Sequence, residues 1–160
     1  MNDCVNSANF NKKLNNIFKT KEGKNIVKGR FDIEPIQLRY KADFLVSFVG
    51  SYKEIFGITY RILFWEKDEI LKDFFNINFP AKQYRLDKTY KNGKIPGSIF
   101  VDEQSIDKIF LKILLDNHFN FEMAEKPSLN MRVQMCINTK DFIVLLDIYD
   151  DRGFYMYCLN

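Results

Sequence analysis

The chain reads as an α+β domain, an antiparallel β-sheet ending in a C-terminal three-stranded meander with several helices packed on it. Three observations predict this. Between residues 131 and 159, apolar runs of strand length are separated by clusters of turn residues. Just upstream, Ile106, Ile109, Phe110, Ile113 and Leu114 recur at helical spacing. The 16 Phe and 8 Tyr among 160 residues supply enough apolar surface for one core.

Residues 1–8 are polar and unpatterned and are expected to be flexible, leaving 9–160 as a single domain. Phe10, Leu14, Ile17 and Phe18 share one face of an amphipathic helix ending near Lys21. Gly23 and Gly29 punctuate a basic loop. Pro35 cannot sit inside a helix, and Ile36, Leu38 and Tyr40 alternate with Gln37 and Arg39, so 33–49 is expected to be extended, with one strand. A helix is expected from Ser51, its N-cap, with Glu54 in the capping-box position and Tyr52, Ile55, Phe56, Tyr60 and Leu63 on one face. A second follows Asp68 through Ile70, Leu71, Phe74 and Phe75 and is closed by Pro80. Tyr84 and Leu86 suggest a short strand before an Asn92-Gly93 turn, with Ile99–Val101 as its partner.

Asp102 or Ser105 is placed to cap the helix bearing Ile106 and Phe110, and Asn117 lies near its end. After a connector with Pro127, Met131, Val133, Met135 and Ile137 alternate with Arg132, Gln134 and Cys136, as in a strand with one buried face. The nearly continuous apolar run from Phe142 to Ile148 predicts a central strand covered on both sides. Asp150-Asp151-Arg152-Gly153 then turns the chain into a last strand, Phe154 to Leu159.

Composition excludes several classes of function. No window approaches the roughly 18 apolar residues of a membrane span. The N-terminus lacks a secretory pattern, so the expected location is cytoplasmic. Cys4, Cys136 and Cys158 form no C-x-x-C pair and are expected to be free thiols. A net charge of +3 is too slight to imply direct nucleic-acid binding, but residues 1–101 carry +7 and residues 102–160 carry −4, a dipolar distribution suited to charge-complementary contact. The basic run from Lys12 to Lys28 is expected to be a solvated face.

No catalytic constellation emerges, and no cofactor is expected. The seven glycines form neither a dinucleotide-binding nor a P-loop pattern. His118 is the only histidine, so any imidazole-dependent nucleophile or metal cluster would need it, and it lies near a predicted helix end. Asp147, Asp150 and Asp151 are close in sequence but do not match a calcium loop, and Arg152 competes as a cation, so no metal is expected. The segment Tyr149-Asp150-Asp151-Arg152-Gly153 suggests more than packing. Aspartates early in a turn can accept backbone N–H bonds, Gly153 can adopt positive φ, and Arg152 can reach a carboxylate bidentately. Tyr149, Asp150, Asp151 and Arg152 are therefore the candidate partner-binding residues, with Gly153 as the structural turn residue.

That pentapeptide, preceded by a strand and by Glu125-Lys126-Pro127-Ser128-Leu129-Asn130, resembles a family of bacterial domains of unknown function marked by a C-terminal Tyr-Asp-Asp-Arg-Gly. The likeness spans roughly residues 106–157. Leu38-Arg39-Tyr40 followed by an aromatic helix is similar in layout. The chain departs from the family after the glycine, at Phe154-Tyr155-Met156-Tyr157. Domains of this kind resemble in genre the immunity proteins of contact-dependent growth inhibition and other polymorphic toxin systems. The resemblance implies a non-enzymatic bacterial protein that binds a cognate toxin domain, a nuclease by expectation, 1:1 and covers its active site. The alternatives are a small nucleotide- or nucleic-acid-acting enzyme, in which His118 and the acidic turn cooperate, and a structural or regulatory homo-oligomer.

Overall fold

The computed structural model describes residues 26–91 and 94–159. Their elements run β1 (Ile26–Asp32), α1 (Leu38–Gly50), β2 (Ile55–Phe64), α2 (Asp68–Asn78), β3 (Arg85–Lys88), β4 (Gly97–Glu103), α3 (Lys108–Glu122), β5 (Met131–Thr139), β6 (Ile143–Asp150) and β7 (Gly153–Leu159). The strands form one seven-stranded sheet in the order β1-β7-β6-β5-β2-β4-β3, every pairing antiparallel. The expected fold class and the β5-β6-β7 meander are both present. No helix among the described residues is long and apolar enough to cross a membrane.

The sheet has two unlike faces because its side chains alternate. One face carries Ile58, Tyr60, Ile62 and Phe64 of β2, Val133 and Met135 of β5, and Leu146 and Ile148 of β6, all buried in the main core with Leu45 and Val49 of α1 and Leu111 and Leu114 of α3. The two helices run antiparallel across this face. The Lys112 ammonium of α3 lies 3.1 Å from Asp43 of α1, and the Lys108 stem approaches Gly50 at the far end. The other face carries a smaller apolar cluster of Phe100, Cys136, Leu145 and Tyr157. It also carries a polar row, in which Arg61, Gln134 and Asp147 stand opposite one another on β2, β5 and β6.

Two elements exchange identity relative to expectation. Residues 38–50 are helical, not extended: Leu38, Ala42, Leu45 and Val49 follow helical spacing, and Pro35 lies in the turn before the helix, where it costs no hydrogen bond. Residues 55–64 form a strand, not a helix. Ser51 closes α1, its hydroxyl donating to Phe48 O at 2.6 Å, and Glu54 at φ 55° redirects the chain. The next ten residues are dominated by β-branched and aromatic side chains with a strict period-two inner face, which suits a strand between β4 and β5.

Other boundaries also shift. Part of the expected basic loop is strand β1, paired with β7. The cap of α3 is Asp107, whose carboxylate accepts the Phe110 N–H at 3.0 Å, and the helix continues past Asn117 to Glu122. Helix α2 and the β3-β4 pairing are as expected. Cys158 is a free thiol, whereas Cys136 is disulfide-bonded, which corrects the expectation of three free thiols. The helix expected over Phe10–Phe18, Cys4, the flexible N-terminus and the Asn92-Gly93 turn lie outside the described residues.

Candidate functional site

Strand β6 ends and β7 begins at the turn Tyr149–Gly153, beside the first turn of α1 and the last turn of α3. The turn is held from within. One Asp150 oxygen accepts the Arg152 N–H at 2.8 Å, and the other accepts Arg152 Nε at 2.9 Å and Nη2 at 2.6 Å. Burial disfavours the Asp150 carboxylate, but these bonds outweigh it and leave its pKa below the ordinary value. The guanidinium thus converges on one oxygen and leaves the other for the backbone, in place of the bidentate pair expected from sequence.

The turn is also held from outside. The Arg152 carbonyl accepts Ile33 N–H at 2.8 Å and Glu34 N–H at 3.1 Å. Lys41, only 4% exposed, donates its ammonium to the Asp151 carbonyl and lies 3.9 Å from the Asp151 carboxylate. Arg30 Nε donates to the Tyr149 hydroxyl at 2.9 Å, and the Tyr149 and Tyr155 rings meet at 5.0 Å. Gly153 departs from expectation. Its φ is not in the left-handed region; instead a Cβ there would come within 2.3 Å of the Phe31 carbonyl oxygen. Glycine is required because the β1 backbone passes too close for a side chain.

Helix α3 contributes His118 and Glu122, one turn apart and both in the electrostatic field of Asp150 and Asp151. His118 is 1% exposed. Its Nδ1 faces the Met131 carbonyl, which can only accept, so Nδ1 carries the proton and Nε2 keeps a lone pair with no partner. Burial lowers its pKa to about 4, so the ring is neutral at pH 7. For Glu122, burial and then the aspartates of the turn raise the pKa. A recess of about 280 Å3 lined by Trp65, Glu122, Asn130, Met131, Arg132 and Tyr149 opens beside the turn.

The structure therefore brings His118 and the acidic turn together, as the enzymatic alternative requires, but seals the imidazole from solvent. It separates the three aspartates. Asp147 points to the polar face of the sheet, where Arg132 Nε meets it at 2.7 Å and Gln134 at 3.2 Å; Asp150 is held by Arg152 and Asp151 by Lys41. Among the described residues, no group of three His, Cys, Asp or Glu is arranged to hold a metal. Sequence reasoning missed Lys41, Glu122 and Arg132. Lys41 carried a legible signal, a cation on the apolar stripe of α1, but only once that segment is read as helical.

What these residues define is an antiparallel α+β domain with a preorganised, charge-compensated turn at one end of its sheet. Neither a family model, a curated protein nor a solved structure matches the chain.

Proposed function

We propose that the chain is a non-enzymatic binding protein that docks through the Tyr149–Arg152 end of the molecule. The observation that carries this reading is a turn whose backbone and carboxylates are already satisfied within the chain, while the Arg152 side chain stays 59% exposed. Such a turn loses little conformational freedom on contact, and arginine is among the residues that dominate interface energies. Exposed Tyr40 precedes Lys41, and exposed Phe121 precedes Glu122, so aromatic surface is available at the same end. The partner class suggested by the family resemblance is a bacterial toxin domain. In this reading the protein is a cytoplasmic immunity protein that neutralises its toxin 1:1 by covering the active site.

The test screens the products of the genes flanking this one for binding by titration calorimetry. Arg152→Ala should weaken a 1:1 complex by roughly tenfold or more, while loss of its surface pair with Asp150 should lower stability by no more than about 1 kcal/mol. Unaltered affinity would remove the turn from the interface, and absence of any complex would remove the immunity reading.

One observation favours the enzymatic alternative, the field of Asp150 and Asp151 at His118. Against it, the imidazole is buried with one nitrogen committed to a carbonyl. Turnover of a nucleotide or nucleic acid by the purified protein, abolished in His118→Ala, would establish this reading in place of the first.

A further inference from the structure

At the opposite end of the sheet, a cleft of about 510 Å3 lies between the C-terminal end of α2, the end of β4 and the start of α3. Its wall is a rigid aromatic stack. Phe110 meets Phe79 at 4.7 Å and Phe75 at 6.2 Å, and Tyr60 packs edge-on against Phe110 at 5.1 Å. The cleft already holds one cation of its own. The Lys82 ammonium sits 4.6 Å above the Phe110 ring, bonds Glu103 and lies 2.8 Å from Asp107.

Negative charge nevertheless exceeds positive. Among the described residues, Asp102, Glu103 and Asp107 line the cleft with Lys82 as the one cation in the lining, and Arg85 reaches Asp102 from outside at 2.9 Å. Among the described residues the three carboxylates thus share two cations, and Asp102 and Asp107 are both partly open to solvent. Beneath them, the fully buried Tyr60 hydroxyl lies beside the Asp107 backbone amide without an aligned hydrogen bond, in the field of Glu103 and Asp107. Ile109 lines the cleft and Ile77 immediately precedes its lining residue Asn78; these two isoleucines are 75% and 78% exposed.

We infer that this cleft receives an arginine or lysine side chain of a protein partner: the surplus carboxylate charge for the cationic head, beside the Phe110 face that Lys82 already covers, and exposed isoleucines for the aliphatic stem. It is a second contact surface, separate from the Tyr149–Arg152 turn and independent of whether the partner is a toxin.

Titration of the full-length protein with a hexa-arginine peptide, followed by amide NMR shifts, tests the inference. Saturable shifts should centre on Ile77, Ile109 and Phe110, and the matched hexa-citrulline peptide should not produce them. Ile109→Lys, an exposed change, should weaken binding roughly tenfold, the loss expected for one anchor contact plus repulsion. Met123→Lys, at the other end of α3, should leave it within about twofold. Lack of saturable shifts, shifts centred elsewhere, equal binding of the citrulline peptide, or equal weakening by the two lysine variants would overturn the inference. Spermidine shifting the same amides at lower concentration than the peptide would assign the cleft to a free polyamine and overturn it too.

Discussion

Replacing Gly153 by alanine tests whether the turn is held by close backbone packing. The added Cβ would lie 2.3 Å from the Phe31 carbonyl oxygen and 3.1 Å from the Tyr149 hydroxyl. Restoring ordinary contact requires β1 to retreat by about 1 Å. The Arg152 carbonyl's bonds to Ile33 and Glu34, now 2.8 and 3.1 Å, would then stretch beyond hydrogen-bonding range. Two such bonds contribute about 1 kcal/mol each, and forced overpacking costs about 1–3 kcal/mol, so the expected loss is about 3–5 kcal/mol. For a domain of this size that is a fall of about 10 °C in melting temperature, measured by calorimetry with a urea titration alongside. Gly153→Asn separates this cause from a left-handed backbone. Asparagine tolerates positive φ and would be milder than alanine there, but against a backbone oxygen it should be at least as harmful. A loss below about 1 kcal/mol in Gly153→Ala, or a milder Gly153→Asn, refutes the packing argument.

Other expectations follow from the same geometry. Asp147→Ala leaves the buried Gln134 and the one-third-exposed Arg132 without their shared acceptor, and should cost about 1–3 kcal/mol in urea unfolding. His118 binds its proton more weakly folded than unfolded. Its contribution to stability is therefore complete above about pH 6.5 and is lost as pH falls toward about 4, by roughly 3 kcal/mol in all. The stability difference between wild type and His118→Gln, which cancels the carboxylate titrations, should shrink over that window; a pH-independent difference would contradict it. Gly97→Ala would drive a Cβ to 2.2 Å from the buried Phe64 ring opposite it on β2, and should destabilise by about 1–3 kcal/mol in the same assay.

Much of this molecule was legible in its residues where the signal is local and repeated. The alternation from Met131, the long apolar run through Ile148 and the Asp-Asp-Arg-Gly turn specify the meander, because strand periodicity and turn chemistry act over a few residues. Helices α2 and α3 announce themselves in the same way. Around Pro35 and Ser51 two periods compete over short windows. Ile36, Leu38 and Tyr40 alternate by coincidence, while Leu38, Ala42, Leu45 and Val49 hold the helical stripe that α1 buries against α3. Likewise, Ile58, Tyr60, Ile62 and Phe64 become an inner strand face only between β4 and β5, a pairing set by residues about forty and seventy-five positions away.

The candidate site divides along the same line. Residues alone determined that the chain would be an antiparallel α+β domain and that a polar turn would follow Tyr149, since both depend on hydrophobic period and turn preference between near neighbours. Only the tertiary structure decided what that turn is: Asp150 committed to Arg152, Asp151 to Lys41 from α1, His118 and Glu122 brought in by α3, and Gly153 required by the passage of β1. Lys41 lies 110 residues from Asp151, and Arg30 lies 119 from Tyr149; contacts across such distances are set by how layers pack, which no local pattern encodes.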